Sequence, residues 1–261
     1  MRSDSPVAAR FRRDHVLIAS CVVLITALAW AYLVHLDRQM SSPAEQGTMA
    51  KMAMVMDSRW STSDVAFTFV MWMVMMIAMM TPSAAPVLLL VAKARGPRTE
   101  RGAPLAVAYF GLGYLTVWLG FSACAALIQS ALRSAALLSS AMAASSPRLA
   151  GAILIAAGIY QLTPLKGGCL SQCQSPLGFL MSNWRDGNIG AFRMGFRHGT
   201  YCLGCCWALM CVLFAVGVMN LAWVGVLCAF VLLEKLGPTG IRVARAGGVV
   251  MVACGVLFIA K

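Results

Sequence analysis

Long apolar runs, separated by short polar stretches, dominate the pattern of hydrophobic and polar positions along this chain. A helix needs about 20 apolar residues to cross a bilayer, and about seven runs approach or exceed that length. They occupy residues 16–35, 65–91, 105–130, 149–165, 200–219, 221–236 and 243–260. The pattern predicts an all-α fold, a polytopic transmembrane bundle of about seven helices.

The first run begins like a signal peptide, because Arg10, Arg12 and Arg13 precede it. It is about 19 residues long, however, and a signal core usually has 7–15 residues and a small-residue cleavage site after it. We therefore interpret it as an uncleaved anchor helix. The expected organisation is an anchor with a Met-rich external loop over 1–64 and a six-helix membrane domain with a Cys/His cluster over 65–261.

The second run contains two prolines, Pro82 and Pro86, near its middle. Proline lacks a backbone N–H group and clashes with the preceding turn, so we expect a kinked helix. The hydrogen-bond ladder should break between Met80 and Val87. Broken helices often mark binding sites in membrane transporters, and a simple kink is the alternative.

Six methionines stand within the ten residues 71–80, directly before these prolines. Helical geometry places them on adjoining stripes, and thioethers are soft ligands that suit Cu(I). Packing of the helix in lipid is the alternative. Methionines at 40, 49, 52, 54 and 56 offer a second, external capture site, with an amphipathic stretch as the alternative. The candidate ligands in the bilayer are Met71, Met75, Met76, Met79 and Met80.

A cluster of thiols and an imidazole lies between residues 166 and 211. Met194, His198, Cys202, Cys206 and Met210 follow one another at intervals of four, so on a helix they share one face. Thiolate, imidazole and thioether ligands favour Cu(I), or alternatively Zn(II), over Mg²⁺ and Ca²⁺. The candidate metal ligands are Cys169, Cys173, His198, Cys202, Cys205 and Cys206.

Two of these thiols, Cys169 and Cys173, precede the others by about thirty residues. We expect the segment 174–197 to fold back, with one of the two sulfurs within about 8 Å of Cys202 or Cys206. That distance is looser than a metal–sulfur bond of about 2.3 Å because an empty site relaxes. The other five cysteines are isolated, and we interpret each as a small buried hydrophobic residue.

One carboxylate, Glu234, falls inside the sixth run, where a charge is expensive and usually paired. Its structural partner would be Lys235, with its ammonium extended to the interface, or a nearby arginine. Its functional partner would be His198 or a metal, in which case Glu234 balances charge or relays a proton.

The net charge of +12 raises the question of nucleic-acid binding, but the basic residues cluster at the ends of apolar runs. With the N-terminus in the cytoplasm, fifteen of the 21 Lys and Arg residues fall on the cytoplasmic side. This positive-inside bias predicts a bacterial inner-membrane protein, partnered by the lipid bilayer and not by nucleic acid. We find no phosphate loop, Ser/His/Asp arrangement or dinucleotide fingerprint, so enzymatic activity is not expected.

Four sequence blocks resemble a known family. They are Met71-Trp-x-x-Met-x-x-Ala-Met-Met-x-Pro82, the segments 160–173 and 175–179, and His198-Gly-x-Tyr-Cys-Leu-Gly-Cys-Cys-Trp-Ala-Leu-Met210. They are similar to the bacterial predicted metal-binding integral membrane proteins, the domain of unknown function 2182. The resemblance covers roughly residues 65–260 and implies a membrane fold and a bound metal, but no reaction.

Three functional hypotheses follow from these patterns. The first is a membrane protein that binds a soft metal, most simply copper, for transport, delivery or homeostasis, with a metal chaperone or a membrane-complex subunit as partner. The second is a thiol–disulfide oxidoreductase that passes electrons between Cys169/Cys173 and Cys202/Cys205. The third is a non-catalytic helical subunit of a larger membrane complex. Redox relays need accessible thiols, and the apolar setting of Cys205 and Cys206 argues against the second.

Overall fold

The chain is described here by a computed structural model over residues 6–40, 62–95, 102–139 and 142–260. These residues form nine helices and no strand, which confirms the all-α class and exceeds the expected number of about seven. The helices are α1 (Pro6–Met40), α2 (Thr62–Arg95), α3 (Gly102–Ser134), α4 (Pro147–Leu162), α5 (Pro164–Gln174), α6 (Pro176–Asn183), α7 (Gly187–Val216), α8 (Leu221–Leu236) and α9 (Gly240–Ala260). The Met-rich external loop lies outside the described residues.

Five helices are long and apolar enough to cross a membrane, namely α1, α2, α3, α7 and α9. A sixth span is possible if α4 and α5, which meet at an angle of 65°, are counted as one broken helix. The remaining predicted span is α8, whose 16 residues reach about 24 Å, less than the roughly 30 Å of a hydrocarbon core. Large apolar side chains such as Val23 and Leu257 are exposed on the outside of the bundle.

The structure contradicts the expected break in the second run, since α2 continues through Pro82 and Pro86 as one helix. Side chains near the prolines donate to carbonyl groups of the preceding turn. The carbonyl of Met80 accepts from the hydroxyl of Ser83 at 2.8 Å and from that of Tyr114 at 3.1 Å. These hydrogen bonds hold the turn that contains Pro82, one from within α2 and one from the neighbouring helix α3. The expected break was wrong, because a membrane helix can accommodate proline without ending.

Helix α7 lies against α3 at very short range. A Cβ atom added to Gly195 would stand 1.9 Å from the carbonyl oxygen of Phe110, so only glycine permits this approach. Helices α4 and α9 also pack closely at a glycine, since a Cβ on Gly158 would lie 2.6 Å from the carbonyl oxygen of Gly248. The contact with Phe110 holds α7 against α3, and the thiol-bearing face of α7 is buried.

The location of residue 260 on one or the other side of the membrane tests whether the short helix α8 crosses the bilayer. The bias of basic residues predicts that reporter fusions report residue 180 inside, residue 219 outside, residue 238 inside and residue 260 outside. Paired alkaline phosphatase and fluorescent-protein fusions at each position measure this directly. A fusion at residue 260 that reports a cytoplasmic location would contradict a crossing by α8.

Candidate metal centre

The inward face of α7 carries the soft donors in the order that helical spacing predicts. Met194, His198, Cys202, Cys206 and Met210 are all buried, with at most 2% of each residue exposed. Cys205 is buried beside them. The helix therefore presents a column of sulfur and nitrogen atoms to the interior of the bundle.

The bend after α4 brings the first pair of thiols to this column. Thr163 ends α4 and caps α5, since its hydroxyl accepts from the backbone N–H of Lys166. Cys169 then packs on the backbone of α7, because a Cβ on Gly204 would lie 2.8 Å from its sulfur. The side chain of Cys173 lies close to those of Cys202 and Cys205. The two groups of thiols thus lie together, and the segment 174–197 that separates them contains α6 and the first part of α7.

At the centre of the cluster lies an ammonium group that we did not predict there. The Nζ atom of Lys235 is 2.8 Å from the sulfur of Cys202 and 3.3 Å from the hydroxyl of Ser83. The sulfurs of Met80 and Cys206 lie 3.9 and 4.0 Å from the same nitrogen. Lys235 is only 5% exposed, so the expectation that its side chain extends to the interface is wrong.

The methionines of α2 are buried in protein and do not face lipid. Met71, Met75, Met76, Met79 and Met80 are each at most 3% exposed. Met80 joins the cysteines directly, with its sulfur 3.9 Å from that of Cys206. Tyr114 lies at the same place, with its hydroxyl 3.0 Å from the sulfur of Cys202. Met80, at the end of the methionine stripe, therefore lies against the cysteine column.

His198 stands one turn from Cys202, among aromatic rings. Its ring centroid is 4.9 Å from that of Phe179, 5.9 Å from Tyr114 and 6.0 Å from Phe110. Its Nδ1 atom is buried and has no hydrogen-bond partner within the described part of the chain. Since a buried polar nitrogen normally has a partner, this atom is available as a ligand.

The partner of Glu234 is Lys166. The expectation that it pairs with His198, Lys235 or a nearby arginine is therefore wrong. A carboxylate oxygen of Glu234 lies 2.7 Å from Nζ of Lys166, and both side chains are 1% exposed. Gln161 donates to the same carboxylate at 3.0 Å. Successive helical residues point about 100° apart, so Glu234 faces α5 while Lys235 faces α2 and α7. Lys166 was missed as a partner because only the bend at Thr163 carries it inward.

Several donors surround the position of the Lys235 ammonium, but they do not form a closed cage of metal ligands. Among the described residues, no group of three or more His, Cys, Asp and Glu side chains is arranged to hold a metal ion. The closest convergence is the set Met80, Cys202 and Cys206 around the Lys235 ammonium. Such a set, with two thiols and a thioether, suits a soft ion of low coordination number.

Comparison with known proteins gives a family match. The model of the PpoB2 family, described as a copper chaperone, matches residues 69–258, which contain every side chain of the cluster. No curated protein matches the chain. No solved structure matches it.

The buried ion pair can be tested by a double-mutant cycle. Glu234→Gln leaves the ammonium of Lys166 buried without a carboxylate, and breaking such a pair costs about 3–5 kcal/mol. We expect a clear fall in the melting temperature of the detergent-purified protein. Lys166→Met combined with Glu234→Gln removes both charges and should recover most of that loss. A double variant as unstable as the single one would show that the pair is not the source of the effect, and Lys93→Met, on an exposed residue, is the control.

Proposed function

The chain belongs to the PpoB2 copper chaperone family, and from this premise we propose that it is an inner-membrane protein that binds Cu(I) for delivery, transport or homeostasis. The observation that carries the proposal is the convergence of Met80, Cys202 and Cys206 on one buried cation position. Copper is the cargo of this site. The resemblance to predicted metal-binding integral membrane proteins points to the same role.

Several features support a location in the membrane. Five helices are long and apolar enough to cross, and large apolar side chains cover the outside of the bundle. The excess of Lys and Arg at one set of helix ends supports an N-terminus in the cytoplasm of a bacterial cell. In that orientation the cluster lies near the reducing compartment, which keeps thiols available as ligands.

The chemistry of the donors favours Cu(I) over the alternative, Zn(II). Structural zinc sites are usually tetrahedral with four Cys or His ligands, and the described residues bring no such group together. The ammonium of Lys235 also repels a divalent ion about twice as strongly as a monovalent one at equal distance. A soft monovalent ion bound by few sulfurs meets both conditions.

Lys235 supplies the positive charge that makes a buried thiolate site tolerable. Two thiolates, from Cys202 and Cys206, with one Cu(I) carry a net charge of −1, and the ammonium balances it. On copper entry the flexible lysine side chain moves off the sulfur of Cys202 and keeps its contact with the hydroxyl of Ser83, now 3.3 Å away. The hydroxyl of Tyr114 stabilises the sulfur of Cys202 from the other side.

The remaining donors form a surrounding layer through which copper is passed on. Met71, Met75, Met76 and Met79 extend the thioether path along α2. Cys169, Cys173, Cys205 and His198 provide exchange ligands on the side of α5 and α6. Glu234 has its charge balanced by Lys166, so its role is to hold α5 against α8 and not to relay protons.

The burial of the thiols disfavours the oxidoreductase alternative. Thiol–disulfide exchange needs access to an attacking thiol, and Cys202, Cys205 and Cys206 are at most 1% exposed. All ten cysteines are free. Cys202, Cys205 and Cys206 are therefore not presented to a protein substrate.

Copper binding by matched serine variants tests the proposal. Purified protein under anaerobic, reducing conditions is titrated with Cu(I) against a chromophoric Cu(I) chelator. Cys202→Ser and Met80→Leu should each weaken binding by about tenfold or more, equivalent to about 1.4 kcal/mol. Cys228→Ser, which alters a thiol directed at the backbone carbonyl of Met79, should leave binding within about twofold of wild type.

The same titration can also contradict the proposal. Wild-type protein that does not compete with the chelator for Cu(I) would refute copper binding. Equal affinities for the Cys202→Ser and Cys228→Ser variants would show that copper binds elsewhere and that the cluster serves packing only.

A further inference from the structure

A cavity of about 300 Å³ opens at the start of α7, next to the column of soft donors. Asn183, Arg185, Arg193, Met194 and Arg197 line it. Three of these five side chains carry a positive charge. A cavity of this size is in the range of sites for small molecules and too small to admit a folded protein.

None of the three arginines forms an ion pair with a carboxylate within the described part of the chain. The nearest carboxylate in sequence, Asp186, accepts a hydrogen bond from the indole of Trp184 at 3.0 Å. Arg95 adds a fourth guanidinium, which donates to the carbonyl of Arg185 and stacks on the same indole at 4.9 Å. The site is therefore built to attract an anion.

The floor of the cavity is the first member of the donor column. Met194 lines the cavity and is itself 1% exposed. His198, with its unpartnered Nδ1, stands four residues further along α7, and Cys202 four residues beyond it. Each step covers about 6 Å along the helix axis. A soft ion released in the cavity therefore meets a thioether, an imidazole and a thiol in succession.

We propose that this cavity is the docking site for an anionic Cu(I) donor, a bis-thiolate complex of a small, carboxylate-bearing thiol. The inference rests on the proposed copper-binding function. The three arginines that line the cavity repel a bare copper cation, whereas they attract a complex of one Cu(I) and two thiolates, which is an anion. Guanidinium groups also bind carboxylates in bidentate fashion, which would fix the donor over Met194.

Transfer from such a donor requires no change of oxidation state. One copper–sulfur bond to the donor breaks as a bond to Met194 or His198 forms, and the second breaks as copper reaches Cys202. Each donor thiolate leaves with its own electron pair, and a departing thiolate takes up the proton that a cysteine thiol of the cluster loses as it binds copper. Copper remains Cu(I) throughout, and the arginines hold the departing anions away from the column.

The test compares two donors that differ in charge. Wild-type protein in nanodiscs of zwitterionic lipid is mixed with the Cu(I) complex of mercaptosuccinate, which is anionic, or with that of cysteamine, which is cationic. Copper in the protein is measured after rapid desalting at successive times. Electrostatic attraction raises association rates by about 10- to 1,000-fold, so we expect uptake from mercaptosuccinate to be at least about tenfold faster. Added salt should reduce the difference.

Paired arginine variants assign the preference to the cavity. Arg193→Gln combined with Arg197→Gln should abolish the difference between the donors while the final copper content stays at the wild-type level. Arg245→Gln, which alters an exposed arginine on α9, should keep the wild-type preference.

The possible results separate the two proposals. Wild-type protein that takes copper from neither donor refutes the copper function, and the docking role falls with it. Equal uptake from both donors refutes the docking role alone. The same follows if Arg245→Gln removes the preference as fully as Arg193→Gln combined with Arg197→Gln. A preference that disappears in nanodiscs of anionic lipid would assign the cavity to a lipid headgroup and also overturn the proposal.

Discussion

The contact between the ammonium of Lys235 and the sulfur of Cys202, at 2.8 Å, is the interaction on which the rest of the site depends. A buried charge is tolerated only with close polar partners, and α2 and α7 each bring one to the ammonium. These are Ser83 and Cys202, while Met80 and Cys206 pack around them and Tyr114 of α3 contacts the sulfur of Cys202. A site with a resident cation at its centre is already arranged for a cation of another kind.

A second buried charge sits directly beside the first along α8. Glu234 and Lys235 are consecutive, and each is satisfied on a different side of the helix, by Lys166 on α5 and by the thiol cluster on α2 and α7. Gln174 also donates to the backbone carbonyl of Glu234 at 2.7 Å. Because these two residues find their partners on different neighbouring helices, α8 is fixed in rotation and depth although it is short. This places the ammonium reproducibly within the sulfur cluster.

Periodicity in the sequence predicted the helical class and the donor column of α7, because both depend on local spacing that the backbone preserves. The approach of Cys173 to Cys202 was also expected, from the fold-back of the segment 174–197. The unbroken α2 was not expected, and one hydroxyl that binds its backbone, that of Tyr114, comes from α3 and lies outside any local window. The partners predicted for Glu234 and Lys235 were wrong for a similar reason. Their observed partners depend on a 65° bend and on the rotation of α8, which no pattern within one segment specifies.

The central claim is that Cu(I) is held by sulfur from two different helices, at the position that the Lys235 ammonium now marks. Copper X-ray absorption spectroscopy of the Cu(I)-loaded protein tests this most directly, with the Met80→Leu variant compared under the same conditions. The account predicts a first coordination shell of sulfur only in the wild type, and the loss of one sulfur in the variant. A shell dominated by nitrogen or oxygen, or identical sulfur shells in the two proteins, would contradict it.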